Sequence, residues 1–200
     1  MIKMMTKLIA EFTISLDGFI AGPDDDVRPI FGWYTSGDID FKVLGSGMVF
    51  KVSRASAELL RREWDRIGAI VTGRRDFDVS NAWGGSSPLG VPIFIVTHTI
   101  PQEWDREDTP FTFVTDGVES AIEKAKQVAG EKNTSISGSK IVQQCLKAGL
   151  LDELQLHLVP IVLGDGIRLF GDLETNPIEL ERTSVIEGTG VTHLRFRVVK

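Results

Sequence analysis

Two hydrophobic periods alternate along the chain. "LIAEFTIS", Leu8 to Ser15, reads as a buried strand. "SRASAELLRREWDRIG" puts Leu59, Leu60, Trp64 and Ile67 on one helical face, with Ser53 placed to cap it and Gly68 to stop it. "AIVTG", "VPIFIVTH" and "FTFVT" are short apolar runs of strand length, the second introduced by Pro92. "GVESAIEKAKQVAG" is an amphipathic helix with Val118, Ala121, Ile122, Ala125 and Val128 inward and Gly130 at its end. "TSIS" reads as a strand and "SKIVQQCLKAG" as a helix. "ELQLHLVPIVLG" reads as one long strand, and "ELERTSVIEGTGVTHLRFRVV" as a β-hairpin turning at "EGTG".

Strands that alternate with helices and end in a strand-rich stretch predict an α/β fold. The expected sheet is mixed and mostly parallel, with helices on both faces and an antiparallel C-terminal hairpin at its edge. No linker or repeat divides residues 1–200, so a single domain is expected. The periodicity lapses from Pro23 to Phe50, where glycines, aspartates, Phe31, Trp33, Tyr34 and Phe41 fill the gap. A lid or substrate wall and a partly helical insertion without a role fit this stretch equally.

Charge removes some partners. The net charge is −6 and the pI about 5.1, without a basic stripe, so no nucleic acid partner is expected. No apolar run is long enough to span a bilayer, so no membrane partner is expected either. The N-terminal lysines and apolar residues imitate a signal peptide, but Glu11 and Asp17 interrupt the pattern. Cys145 is the single cysteine, which excludes an intrachain disulfide and makes the cytoplasm the expected compartment. The scattered histidines and this cysteine make no metal-ligand spacing.

Candidate chemistry gathers where strands end, because ligands of open α/β sheets bind at the carboxyl ends. "VTGRRDF" places Arg74 and Arg75 directly after the strand-ending Gly73, as donors for an anion. "IVTHTIP" sends Thr97, His98 and Thr99 off another strand end, a set suited to phosphate or ribose hydroxyls. "ISGSK" puts Ser137, Gly138, Ser139 and Lys140 between a strand and a helix, where small residues let the backbone approach a phosphate. Each also reads as an ordinary polar turn, and none is a dinucleotide fingerprint or a Walker loop. His157 within a strand and His193 within the hairpin read as structural. The residues alone reach an α/β domain with three anion-facing strand ends.

"FTISLDGFIAG", "VTGRRDF", "PIFIVTH" and "ISGSKIVQQCLKAGLLDELQLHLVPIVLGDGIRLF" occur in the order of the dihydrofolate-reductase-like fold. They most resemble the reductase domain of the riboflavin-biosynthesis deaminase-reductase family, in a stand-alone form. The resemblance implies a three-layer α/β/α architecture and an NADPH-dependent oxidoreductase. The implied activity is similar to 5-amino-6-(5-phosphoribosylamino)uracil reductase. Dihydrofolate, another pterin or another small molecule as substrate, or a non-catalytic nucleotide-binding role, are the alternatives.

By resemblance, the cofactor pyrophosphate lies at Gly73, Arg74, Arg75 and at Ser137, Gly138, Ser139, Lys140. The adenosine 2′-phosphate lies at Thr97, His98 and Thr99, and the nicotinamide along Thr13, Ile20 and Ala21. Asp17 and Glu153 match the family's acidic motif positions and are the expected catalytic or substrate contacts. Two positions depart from the family pattern: Ser139 replaces a second glycine, and Asp76 replaces a threonine. An aspartate there must turn away from an anion or serve as a cap. A small pyrimidine- or pterin-type substrate and a homodimer joined through its C-terminal strands complete the expectation.

Overall fold

In the computed structural model, which describes residues 6–104, 106, 108–171, 173 and 177–200, β1 (Leu8–Ser15) runs through the middle of the main sheet. The other strands are β2 (Phe19–Ala21), β3 (Ile39–Lys42), β4 (Val49–Val52), β5 (Ile67–Gly73), β6 (Ile93–Val96) and β7 (Phe111–Val114). They continue with β8 (Asn133–Ile136), β9 (Glu153–Val159), β10 (Ile167–Arg168), β11 (Leu180–Gly188) and β12 (Val191–Val198). The helices are α1 (Arg54–Trp64), α2 (Arg74–Val79), α3 (Val118–Ala129) and α4 (Ser139–Lys147). Among the described residues, eight strands form one sheet in the order β11-β12-β9-β1-β8-β5-β6-β7. The sheet is parallel from β9 to β7 and antiparallel where β12 meets β9 and β11. This is the expected mixed sheet with its C-terminal hairpin.

Alternation along β1 decides what each face holds. Leu8, Ala10, Phe12 and Ile14 point to one side, where α3 and α4 cover them with Ala121, Ile122, Ala125, Ile141 and Val142. Ile9, Glu11, Thr13 and Ser15 point to the other, toward α1. On that side Leu60 and Ala57 of α1 close a second core over Val52, Ile30 and Trp33. Farther along the same side, Phe77 of α2 packs on Ile93, Ile95 and Phe111. Two helical layers thus enclose the sheet. Burying each large aliphatic side chain contributes roughly 1.5–3 kcal/mol, so this double cover dominates the fold's stability.

Several boundaries differ from the sequence reading. α1 ends at Trp64, and both Ile67 and Gly68 belong to β5. Gly68 is needed for close approach: a Cβ there would lie 2.8 Å from the Ala129 Cα. The long strand expected through "VPIVLG" stops at Val159, because Pro160 has no N–H to continue the ladder. On α3, Val128 faces solvent and Ala129 is buried instead. The stretch from Pro23 to Phe50 forms two short 3₁₀ turns and most of the β3–β4 hairpin, and it supplies Ile30, Trp33, Phe41 and Val43 to the second core. Gly45 docks this hairpin, since a Cβ would come within 2.1 Å of the Ser87 carbonyl. Among the described residues, no helix is long and apolar enough to cross a membrane.

Candidate active site

A cavity of about 840 Å³ opens at the carboxyl ends of β1, β5, β6 and β8. Parallel strands cause this convergence: Gly73, Val96 and Ser137 end side by side, so the turns after them share one rim. Every position that the resemblance assigned to the cofactor lines this cavity. The structure therefore brings together Thr13, Ile20 and Ala21 with the turns carrying Arg74, Arg75, Thr97, His98, Thr99 and Ser137–Lys140.

The rim is organised by carboxylates. Asp76 accepts hydrogen bonds from Thr72 at 2.6 Å and Ser137 at 2.7 Å, and so ties β5, β8 and α2 together. The aspartate that departs from the family pattern is thus turned into the rim as an acceptor. Arg74 donates to Asp78 at 2.7 Å, one helical turn on. Arg75 makes a two-pronged contact with Asp25, both distances 3.0 Å, which holds the first 3₁₀ turn over the cavity mouth. Both arginines are therefore placed at the rim with partners already present. Thr97 donates to the Thr99 carbonyl at 2.8 Å, and His98 is exposed.

The Ser137–Lys140 turn is the clearest anion cradle. Gly138 has φ 81°, a left-handed conformation that suits glycine. α4 then starts at Ser139 with no side chain capping it. The first amides of a helix have no partner within it, so the Ser139 and Lys140 N–H groups are available to a ligand. Lys140 adds a cation beside them.

The opposite end of the cavity is aromatic and acidic. Tyr34 stacks between Trp33 and Phe50, each pair 4.1 Å apart, and Trp64 closes the wall. Glu11 reaches this end from β1, its side chain 16% exposed. The Trp64 indole donates to Glu11 Oε1 at 3.0 Å, and His157 Nε2 lies 2.9 Å from the same oxygen. Burial opposes ionisation of Glu11, but these hydrogen bonds prevail and hold its carboxyl below the usual range. Burial, and behind it the charge on Glu11, push the Tyr34 phenol up. His157 packs on His193, with Nδ1 atoms 2.7 Å apart, and burial foremost pushes His193 down to about 3.

Neither expected catalytic acid lines the cavity. Asp17 accepts from Ser15, Leu163 N–H and Gly164 N–H at 2.7, 3.1 and 2.7 Å, clamping the β1–β2 turn to the segment after β9. The Ser15 hydroxyl, ahead of these backbone donors, brings its carboxyl down to about 2. Glu153 opens β9 beside Ile9, at the amino end of the parallel sheet. There it binds Arg195 and Lys7, the first at 2.8 Å through Nε and the second at 2.5 Å.

The sequence reading missed Glu11, Trp64 and His157 as cavity residues, took His157 and His193 as structural, and left Tyr34 in a stretch that read equally as a substrate wall or as an insertion without a role. A signal for Glu11 was present: it is the single charged residue inside an otherwise strand-forming run, on the same face as Thr13 and Ser15.

The chain is 24% identical over 179 residues to the Bacillus subtilis (strain 168) protein YyaP, covering 84% of this chain and 82% of YyaP. Its fold is similar to that of a protein assigned to riboflavin biosynthesis from Shewanella sp. PV-4, with TM-score 0.76, 21% identity, 98% of this chain and 100% of that one. It is also similar to dihydrofolate reductase from Enterococcus faecalis in complex with NADP(H), with TM-score 0.54, 15% identity and 97% of each chain covered. These two structures establish the dihydrofolate-reductase-like fold. The RibD C-terminal domain family model matches residues 6–194, and with the sheet order and the cavity at its carboxyl ends this places the chain as a member of that family.

Proposed function

We propose that the chain is an NADPH-dependent reductase of a flat nitrogen heterocycle, similar to 5-amino-6-(5-phosphoribosylamino)uracil reductase. One observation carries this reading. A single cavity joins an anion cradle at one end to an aromatic wall at the other, where the Glu11 carboxyl lies against Trp64 and His157. That is the arrangement required to hold a dinucleotide and a polar ring in contact.

The residues fit the cofactor. Ser139 and Lys140 amides would receive the pyrophosphate, with Arg74, Arg75 and the Lys140 ammonium adding charge. Thr97, His98 and Thr99 would receive the 2′-phosphate, and Thr13, Ile20 and Ala21 would flank the nicotinamide. When bound, the cofactor supplies the hydride. The protein's own part is to stack the substrate ring on Tyr34, Phe50 and Trp64, to exclude water, and to offer Glu11 to a ring N–H. Because a carboxylate on an aromatic floor also suits a pterin, dihydrofolate is the second reading.

Titrating NADPH while following its fluorescence tests the cofactor. Micromolar binding is expected, and absence of binding at millimolar NADPH would refute the reductase reading. NADPH oxidation with the phosphoribosylaminouracil and with dihydrofolate then separates the two substrates.

A further inference from the structure

Behind the aromatic end of the cavity, side chains from four elements join in a line. Glu11 Oε1 of β1 meets His157 Nε2 of β9 at 2.9 Å. His157 Nδ1 meets His193 Nδ1 of β12 at 2.7 Å, and His193 Nε2 meets Ser56 Oγ of α1 at 2.8 Å. Ser56 Oγ lies 3.0 Å from Ser53 Oγ, and Ser53 is partly exposed. Glu11 and His157 line the cavity, whereas His193, Ser56 and Ser53 do not. His157 and His193 are 2% and 1% exposed, so the line begins in the cavity, crosses the interior and ends at the surface beside the start of α1.

The fold holds this line in place. His157 pairs with His193 directly across the β9–β12 ladder and with Thr13 across β1–β9. Trp33 packs over both imidazoles, each ring pair 5.2 Å apart. Gly188 leaves room for the outer link: a Cβ there would sit 2.4 Å from Ser56 Oγ and 3.2 Å from His193 Nε2.

Glu11 sets the first link. An ionised carboxylate only accepts, so His157 Nε2 carries a proton and donates it. The two Nδ1 atoms then share one proton, the Ser56 hydroxyl meets His193 Nε2, and Ser53 Oγ meets Ser56 Oγ. Each link holds one proton, and each link can reverse.

We propose that Ser53, Ser56, His193, His157 and Glu11 form a proton path that recharges the cavity from behind while ligands fill its front. This rests on the reductase reading, in which a reduced nicotinamide supplies the hydride and the substrate ring must also gain a proton. A hydronium of the solvent gives a proton to Ser53 Oγ and remains as water. The Ser53 proton moves to Ser56, that of Ser56 to His193 Nε2, that of His193 Nδ1 to His157 Nδ1, and that of His157 Nε2 to Glu11. Glu11 then hands one proton to the ring nitrogen or oxygen left basic by reduction. One proton enters, one leaves, and no electron moves along the path.

Other ionisable groups facing the line are Tyr34 from the aromatic wall, Glu63 from α1, Glu153 from β9 and Arg195 from β12. Arg195 is held by Glu63 and Glu153, so its charge is matched before it reaches the histidines.

Nitrogen-15 NMR of the histidine side chains in the cofactor-free protein tests the path without any substrate. A proton on His157 Nε2, held toward Glu11, and one proton shared between the two Nδ1 atoms are expected. The buried proton between the Nδ1 atoms should exchange with water more slowly in Ser56→Ala and regain its rate in Ser56→Thr. Absence of a proton on His157 Nε2, or exchange unchanged in Ser56→Ala, overturns the path even if the protein is a reductase. With NADPH and its substrate, Ser56→Ala should lower kcat by about 10²-fold at unchanged KM, the size of a lost acid–base contribution. It should also raise the solvent deuterium isotope effect, and Ser56→Thr should restore both. Normal NMR behaviour without NADPH binding would instead refute the reductase reading alone.

Discussion

Arg195→Met is expected to destabilise the protein by about 3 kcal/mol, the low end of the cost of stranding one member of a buried ion pair. Arg195 lies under α1, its side chain 16% exposed, between Glu153 on β9 and Glu63 on α1. Its guanidinium donates to Glu63 Oε2 at 2.6 Å and, through Nε, to Glu153 Oε2 at 2.8 Å. Methionine keeps the hydrophobic stem and removes both bonds. Each carboxylate retains one other cation: Lys7 stands 2.5 Å from Glu153 and Arg62 2.8 Å from Glu63. That remaining compensation is why the low end applies. At a urea slope of about 2 kcal/mol per molar, the unfolding midpoint should fall by about 1.5 M at pH 7.

The pH dependence has a definite sign. Burial opposes ionisation of Glu153, but Lys7 and Arg195 bring its folded pKa below 4.5, its ordinary value. A depressed carboxylate stabilises the fold above its unfolded pKa, and that stabilisation disappears as pH falls through the folded value. Loss of Arg195 raises the folded pKa of Glu153, so the gap between wild type and variant should narrow below pH 4.5. Urea unfolding followed by circular dichroism at both pH values measures it. A midpoint shift under about 0.5 M at pH 7 would refute the ion-pair account, as would a gap that does not narrow in acid. Glu153→Gln should likewise lose stability yet leave NADPH affinity unchanged, because Glu153 sits at the amino end of the sheet.

Thr97→Glu should weaken NADPH on the order of a hundredfold, through repulsion of the 2′-phosphate, and leave NADH nearly unaffected. Equal losses in the two fluorescence titrations would exclude that position for the phosphate. Asp17→Asn should lower the melting temperature at pH 7, with the difference vanishing as pH falls from 3.8 to about 2, where wild-type Asp17 itself protonates. A melting temperature equal to wild type at pH 7 would show that the clamp on Leu163 and Gly164 adds nothing. β11 offers an edge strand with Leu180 and Val185 exposed, so sedimentation should report twice the 22.0 kDa chain mass. A particle of the chain mass would exclude the homodimer.

Much of the frame was legible because it depends on local pattern. Apolar runs ending in Gly73, Thr97 and Ser137 are strand ends whatever their neighbours, and parallel pairing then puts them on one rim. The path behind the cavity was not legible, because it depends on register between distant strands. Period-2 alternation tells which face of β1 Glu11 occupies, but not that β9 and β12, 146 and 36 residues apart from their partners in the line, complete it. The same limit explains why Glu153 was singled out although Glu11 is the one that lines the cavity. Glu11 and Glu153 are both carboxylates in strands, and the family motif drew attention to the second. The register places Ile9 beside Glu153 and Thr13 beside His157, so the two ends of this short ladder lie four residues, or about 13 Å, apart. A carboxylate at the first end can only brace α1 through Arg195. One beside the second end meets the histidines, the aromatic wall and whatever the cavity holds.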